Sequence, residues 1–258
     1  MANNNDSFGK TLAVVIGLCL VCSLVVSTAA VALKPLQEKN KAQDTQKYIL
    51  EAAGLLDKVN GDVESVYNQY IEARVVDLNS GEFDSSIEPA RFNQRKAARD
   101  TASSMVPAND VASIKRRANQ ALVYLVKDDN GELDSVILPV HGYGLWSTMY
   151  AFLALEPDMN TVKAMVYYDF SDSGETPGLG GEVQNPKWKA LWPGKKLFGE
   201  QGELKIRVTK MPTDKQHDID ALSGATLTAN GVQYTLDFWL GEEGFGPFIA
   251  NARKGGVL

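Results

Sequence analysis

Nine residues, Asp220-Ala221-Leu222-Ser223-Gly224-Ala225-Thr226-Leu227-Thr228, set small side chains and hydroxyls just ahead of a stretch with helical periodicity. Small residues let a chain turn tightly, and the start of a helix offers unpaired amides and the positive end of the peptide dipole. That combination suits an anion, a phosphate above all. A plainer role fits the same residues, with Thr226 or Thr228 capping the helix. A second stretch, Glu175-Thr176-Pro177-Gly178-Leu179-Gly180-Gly181-Glu182, places one proline and three glycines in eight residues. Its stiff turn and accessible amides suit a binding loop, and equally a change of chain direction. A third, Gly142-Tyr143-Gly144-Leu145-Trp146-Ser147, follows a strand-like run and sets two glycines around an aromatic. Glycine there lets the backbone approach a planar group, while Trp146 reads either as a stacking platform or as core. The third glycine of a dinucleotide fingerprint is missing, so no NADH site is expected.

Composition narrows the chemistry further. The 258 residues include two cysteines and two histidines. Four-cysteine zinc sites, cysteine-ligated iron–sulfur clusters and a disulfide framework are therefore excluded within this chain. His141 and His217 lack partners at metal spacing, so no metal is assigned and His141 is read as structural. Net charge is −6, and residues 1–34 hold Asp6, Lys10 and Lys34, so the remainder carries −7. An acidic body argues against nucleic acid as a partner.

The elements that must carry these segments fall into two parts. Residues 36–57 read as a polar helix after Pro35, and Asp62–Glu72 as a second helix with Val63, Val66, Tyr67 and Tyr70 on one face. Basic residues at 91, 95, 96 and 99, and again at 115–117, read as a solvated face, with contact to a partner subunit as the alternative. From residue 120 the text turns β-rich: Ala121–Lys127, then the hairpin signal Asp128-Asp129-Asn130-Gly131, then Ser135–Val140. Thr148–Ala154, Thr161–Asp169 and Leu204–Thr209 read as further strands, and Thr228–Leu240 as the last clear helix. The fold class expected is α+β. A helical membrane-proximal part spans 34–118 and an α+β core 119–258.

Between Lys10 and Lys34 lie 23 residues without a charge. At 1.5 Å per residue they reach roughly 34 Å, against a hydrocarbon core of about 30 Å. Residues 11–33 therefore read as a transmembrane helix behind a short arm, 1–10. A cleavable signal peptide is the rival, since Ala30-Val31-Ala32 fits the small-residue rule, but the run exceeds the usual apolar region. Cys19 and Cys22 lie inside it and read as small apolar fillers rather than a redox pair. Lys34, Lys39 and Lys41 follow the span while Lys10 precedes it, a count that favours a cytoplasmic body. With no carboxylate in 11–33, an ion path belongs elsewhere.

Taken together, the three segments resemble the FMN-binding domain of bacterial redox-driven ion pumps. Within it they resemble the family of C subunits of the sodium-translocating NADH:quinone oxidoreductase. Asp220–Thr226 matches Asp-x-x-(Ser/Thr)-Gly-Ala-Thr, the pattern of covalent flavin acceptors, at every specified position. The resemblance implies covalent FMN on Thr226 through a phosphoester, made by a flavin transferase that consumes FAD and recognises Asp220, Ser223, Gly224 and Ala225. It also implies Trp146, Thr176, Gly178 and Leu179 near the isoalloxazine ring. The tail from Leu236 to Phe248 is similar to the C subunits in particular. Many relatives, including the G subunit of the ferredoxin-linked Rnf complex, carry histidine where this chain has Ser173, which favours the C-subunit family. The resemblance further implies a single-pass inner-membrane flavoprotein whose domain lies in the periplasm, contrary to the lysine count. Such a chain relays electrons, with no catalytic residue of its own, among the other subunits of a pump that oxidises NADH and reduces ubiquinone. It is not active alone. The alternatives are an Rnf-type subunit and, in another class, an anchored interaction module without flavin.

Overall fold

The computed structural model describes residues 8–169 and 175–256. The chain divides into two units, residues 1–45 and 46–258. Helix α1 (Phe8–Ala53) supplies all of the described part of the first and runs on into the second. Its most apolar 18-residue window has a mean hydropathy of 2.6 with none of it buried, so the helix is long and apolar enough to cross a membrane. Residues 11–33 lie within it, with Cys19 and Cys22 on its exposed surface. The helix differs from expectation at both ends. Phe8–Lys10 of the supposed arm are already helical, and Pro35 does not interrupt the helix although it has no N–H for the Val31 carbonyl.

The second unit is built on antiparallel strands. After α2 (Val63–Tyr70) come β1 (Ile71–Asp77), β2 (Glu82–Phe83), the short helix α3 (Gln94–Ala97) and a small ribbon of β3 (Ser104–Met105) and β4 (Arg117–Ala118). Four long strands follow: β5 (Gln120–Lys127), β6 (Leu133–Tyr143), β7 (Thr148–Leu155) and β8 (Val162–Tyr168). With β1 and β2 they form one six-stranded sheet in the order β2-β1-β5-β6-β7-β8, every pair antiparallel. Then come α4 (Pro186–Lys189), the parallel pair β9 (Arg207–Thr209) and β10 (Asp218–Asp220), α5 (Thr226–Trp239) and α6 (Gly246–Arg253).

Both faces of the sheet are covered, which is why β6 reads as an almost unbroken apolar run. Val136, Leu138 and Val140 belong to one core with Val232, Leu236 and Phe248 of α5 and α6. Ile137 belongs to the other, with Phe152, Tyr70 and the last turn of α1, Ile49 and Leu50. The strand alternates its side chains between these two cores.

Segment 34–118 is therefore not the helical part that its sequence suggests. It contributes β1, an internal strand, and the core draws on residues from Ile49 rather than from 119. The second helix stops at Tyr70 because Ile71 onward pairs with β5. Nor is the basic stretch a solvated face throughout. Arg117 is buried and donates to the Glu243 carbonyl and the Asn79 amide oxygen. Arg95 pairs with Asp169 and stacks 3.5 Å over the Tyr150 ring. The expected strand 204–209 shortens to Arg207–Thr209, while the last helix starts two residues early, at Thr226.

Candidate functional site

Residues 222–225 make the turn into α5. The Ala225 amide donates to the Leu222 carbonyl at 3.3 Å, and Gly224 takes the left-handed φ of +74° that such a turn gives to glycine. Ser223 and Gly224 are exposed, with Leu222 and Ala225 buried on either side. The first intrahelical bond runs from Ala229 N–H to the Ala225 carbonyl, so the amides of Thr226, Leu227 and Thr228 form the open end of the helix. Ala225 stands at the cap position and no side chain caps the helix, which removes the plainer role considered for the two threonines. Their environments are opposite. Thr226 is exposed, whereas Thr228 is buried and donates its hydroxyl to Glu175 Oε2 at 2.7 Å.

Glu175 joins this helix to the other two segments. Its Oε1 accepts from the Leu145 amide at 2.7 Å and the Trp146 amide at 3.1 Å. Those amides lie in the β6–β7 hairpin, where Gly144 N–H closes on the Ser147 carbonyl and the Tyr143 hydroxyl donates to the Trp146 carbonyl at 2.8 Å. A Cβ on Gly144 or Gly180 would collide with the Glu175 carboxylate, so both glycines are needed for its close approach. Leu179 returns to the turn, lying 3.3 Å from where a Gly224 Cβ would stand. Trp146 stays 63% exposed and Leu179 43% exposed. Thr176 and Gly178 are also exposed, and the Thr176 carbonyl accepts from the Leu179 and Gly181 amides.

A second buried carboxylate holds the approach to the turn. Asp218 in β10 accepts from both Nε and Nη2 of Arg207 and from the Thr213 and Asp214 amides. Burial alone would raise this carboxyl, but the Asp214 and Thr213 amides and the Arg207 guanidinium outweigh it and leave it at about 2. Asp220 itself is exposed, and its carbonyl is held by the Trp188 indole N–H at 2.9 Å. Below the hairpin, His141 packs against Tyr150 and Trp239, with ring centroids 5.2 and 4.9 Å away. Burial, then the nearby Arg95 charge, pushes its pKa down to about 4, so the ring is neutral as expected of a structural residue.

Of the residues singled out in the sequence, Leu179 and Gly224 are neighbours, and the segments carrying Trp146 and Thr226 meet at Glu175. Ser173 lies outside the described residues. Nothing in the sequence marks Glu175, Asp218 or Trp188 as more than loop or strand. Glu175 heads the glycine-rich loop, but its partners lie 29 to 53 residues away.

An open helix end with an exposed hydroxyl, beside exposed aromatic and aliphatic side chains, suits a phosphorylated planar ligand. A family model described as an FMN-binding domain matches residues 144–241, from the hairpin to just past the end of α5. The C subunit of the Na(+)-translocating NADH-quinone reductase of Vibrio parahaemolyticus is 54% identical over 267 residues, covering 100% of both chains. That of Pseudomonas aeruginosa is 50% identical over 98% of each. Among solved structures, Shewanella oneidensis NqrC superposes with a TM-score of 0.78 at 38% identity, covering 84% of this chain and 99% of that one. The C subunit from Parabacteroides distasonis gives 0.64 at 28% identity, covering 84% and 96%. The chain belongs to the family of C subunits of the Na(+)-translocating NADH-quinone reductase. It is a subunit of a membrane oxidoreductase complex, carries an FMN-binding domain and has an apolar helix suited to anchoring it.

Proposed function

We propose that Thr226 carries FMN through a phosphoester and that the chain relays electrons within a complex that oxidises NADH, reduces ubiquinone and pumps Na+. The observation that carries this is the contrast between two threonines in one turn of α5. The Thr226 hydroxyl is exposed at the open helix end, and the Thr228 hydroxyl is buried and committed to Glu175. The residues present fit the cofactor. The amides of the first turn suit a phosphate, and Trp146, Leu179, Thr176 and Gly178 offer an exposed, largely apolar bed for the ring. When bound, the flavin supplies the electron transfer, and the protein supplies its position and surroundings.

In maturation the Thr226 oxygen forms the new P–O bond, the diphosphate of FAD breaks, and AMP leaves while the hydroxyl proton is lost. Exposure of Asp220, Ser223 and Gly224 leaves them open to recognition by a flavin transferase, with Ala225 buried behind them. The relay works only with its companion subunits, from an inner-membrane anchor with the domain in the periplasm. There the tether keeps FMN from diffusing away.

The test is the intact mass of the membrane-purified chain from a host with an active transferase, followed by peptide mapping. FMN less one water on the peptide containing Thr226 is the expected adduct, and an unmodified mass sinks the proposal. Protease added to spheroplasts should digest the domain, and protection would reverse the orientation.

A further inference from the structure

Glu175 is the point where the three segments around the turn meet. The residue is 5% exposed, yet among the described residues the partners of its carboxylate are two backbone amides and a hydroxyl, not a cation. Burying a carboxylate is costly unless its hydrogen bonds are met, so the group stays for the geometry those bonds fix. One oxygen holds the hairpin tip and the other holds the helix that carries Thr226. The Trp146 indole projects into solvent, so its place is set through its backbone, by Glu175 at its amide and by Tyr143 at its carbonyl. The pair Gly144 and Gly180 opens the space that the carboxylate fills.

We propose that Glu175 is a positioning residue for the flavin ring, locking the Trp146 hairpin and the Thr176–Leu179 loop against α5. This deepens the FMN reading above and rests on it. Glu175 makes no bond to the Thr226 hydroxyl, so seating of the ring and attachment of the phosphate are separable.

The full chain, coexpressed with an active transferase, is compared with Glu175→Ala, Glu175→Asp and Glu175→Gln. Hydrogen exchange at the Leu145 and Trp146 amides reads the lock without reference to flavin. Flavin fluorescence and midpoint potential read the seat. In Glu175→Ala the two amides should exchange at least about tenfold faster. The flavin adduct should persist, its fluorescence should rise several-fold towards that of free FMN, and its potential should move towards the free value. Glu175→Gln keeps an acceptor for both amides and an N–H that the Thr228 hydroxyl can accept, so it should stay within about twofold of wild type. Glu175→Asp keeps the charge but shortens the reach, so it should loosen the ring in a folded chain. Wild-type exchange and fluorescence in Glu175→Ala or Glu175→Asp would overturn the proposal. So would Glu175→Gln matching Glu175→Ala, which would assign the effect to charge. A wild-type chain without adduct would instead remove the FMN reading, while the exchange measurement would still judge the lock.

Discussion

Asp218 stands two residues ahead of the Asp220–Thr226 motif, and Glu175 grips the helix two residues beyond it, at Thr228. Both carboxylates are buried and fully hydrogen-bonded, but they are satisfied differently. Asp218 takes a guanidinium and two amides, all within eleven residues of itself. Glu175 takes neutral donors from two segments far away in the chain. The side proposed to hold the tether is thus a local, charge-compensated clasp, and the side proposed to hold the ring is a long-range one that exists only after the sheet and α5 have docked. Positions inside a binding site can be fixed by local chemistry where the chain turns, but joining its walls requires a group that spans them.

The largest effect should come between the two clasps. Thr226→Ala should remove all covalent flavin from the chain on a denaturing gel. Thr228→Val should keep the flavin and lose about 1–2 kcal/mol of stability in urea unfolding, because a Glu175 oxygen is left without its partner. Fluorescent flavin surviving in Thr226→Ala would break the contrast. Next in size, Asp218→Ala should cost about 1–2 kcal/mol in the same assay, since two amides lose their acceptor while the largely solvated Arg207 guanidinium returns to water. Flavin fluorescence should stay at its wild-type value in that variant, unlike Glu175→Ala. A changed seat would merge the two clasps into one.

Acidity separates the sides further. His141, beneath the ring-side hairpin, has a folded pKa of about 4, below its usual 6.5. The unfolded chain takes up its proton first, so stability is full above pH 6.5 and declines as pH falls towards 4, by about 3 kcal/mol. His141→Asn should flatten that part of a stability–pH curve. Asp218 has a folded pKa of about 2. Its contribution is full above the ordinary carboxylate value near 4 and is lost as pH falls to 2. Asp218→Asn should shrink this acid limb by about 1 kcal/mol, a reduced figure because the Arg207 guanidinium is largely solvated. Asp158, also held at about 2, contributes to the loss remaining in that window, together with Asp128, Asp129 and Asp214, whose hydrogen-bonded carboxyls are also held low. Identical curves for Asp218→Asn and wild type would show that the clasp on the tether side is not electrostatic.

Much of this arrangement is legible in the residues themselves. β5 to β8 are apolar runs separated by turn residues, the Asp128–Gly131 hairpin is local chemistry, and α5 announces itself by Val232, Leu236 and Trp239. The three candidate segments could be found because small residues and glycines cluster where backbone must be exposed. β1 escaped because Glu72 and Arg74 interrupt its apolar pattern, and a strand taken into a sheet by β5 need not look like one alone. Arg117 escaped because a buried arginine and a solvated one have the same neighbours in sequence. Glu175 escaped for the reason that makes it useful: nothing near it in the chain shows that Leu145, Trp146 and Thr228 will come within reach.

The strand order has a consequence in time. From β5 to β8 each strand pairs with the next one made, so the sheet grows by successive hairpins as the chain lengthens. The helix bearing Thr226 follows every described strand. During synthesis the strands are therefore made first and the Thr226 hydroxyl arrives late. A chain interrupted before α5 would have the strands but not the Thr228 hydroxyl that completes the Glu175 clasp, nor the Thr226 hydroxyl on which the proposed attachment depends.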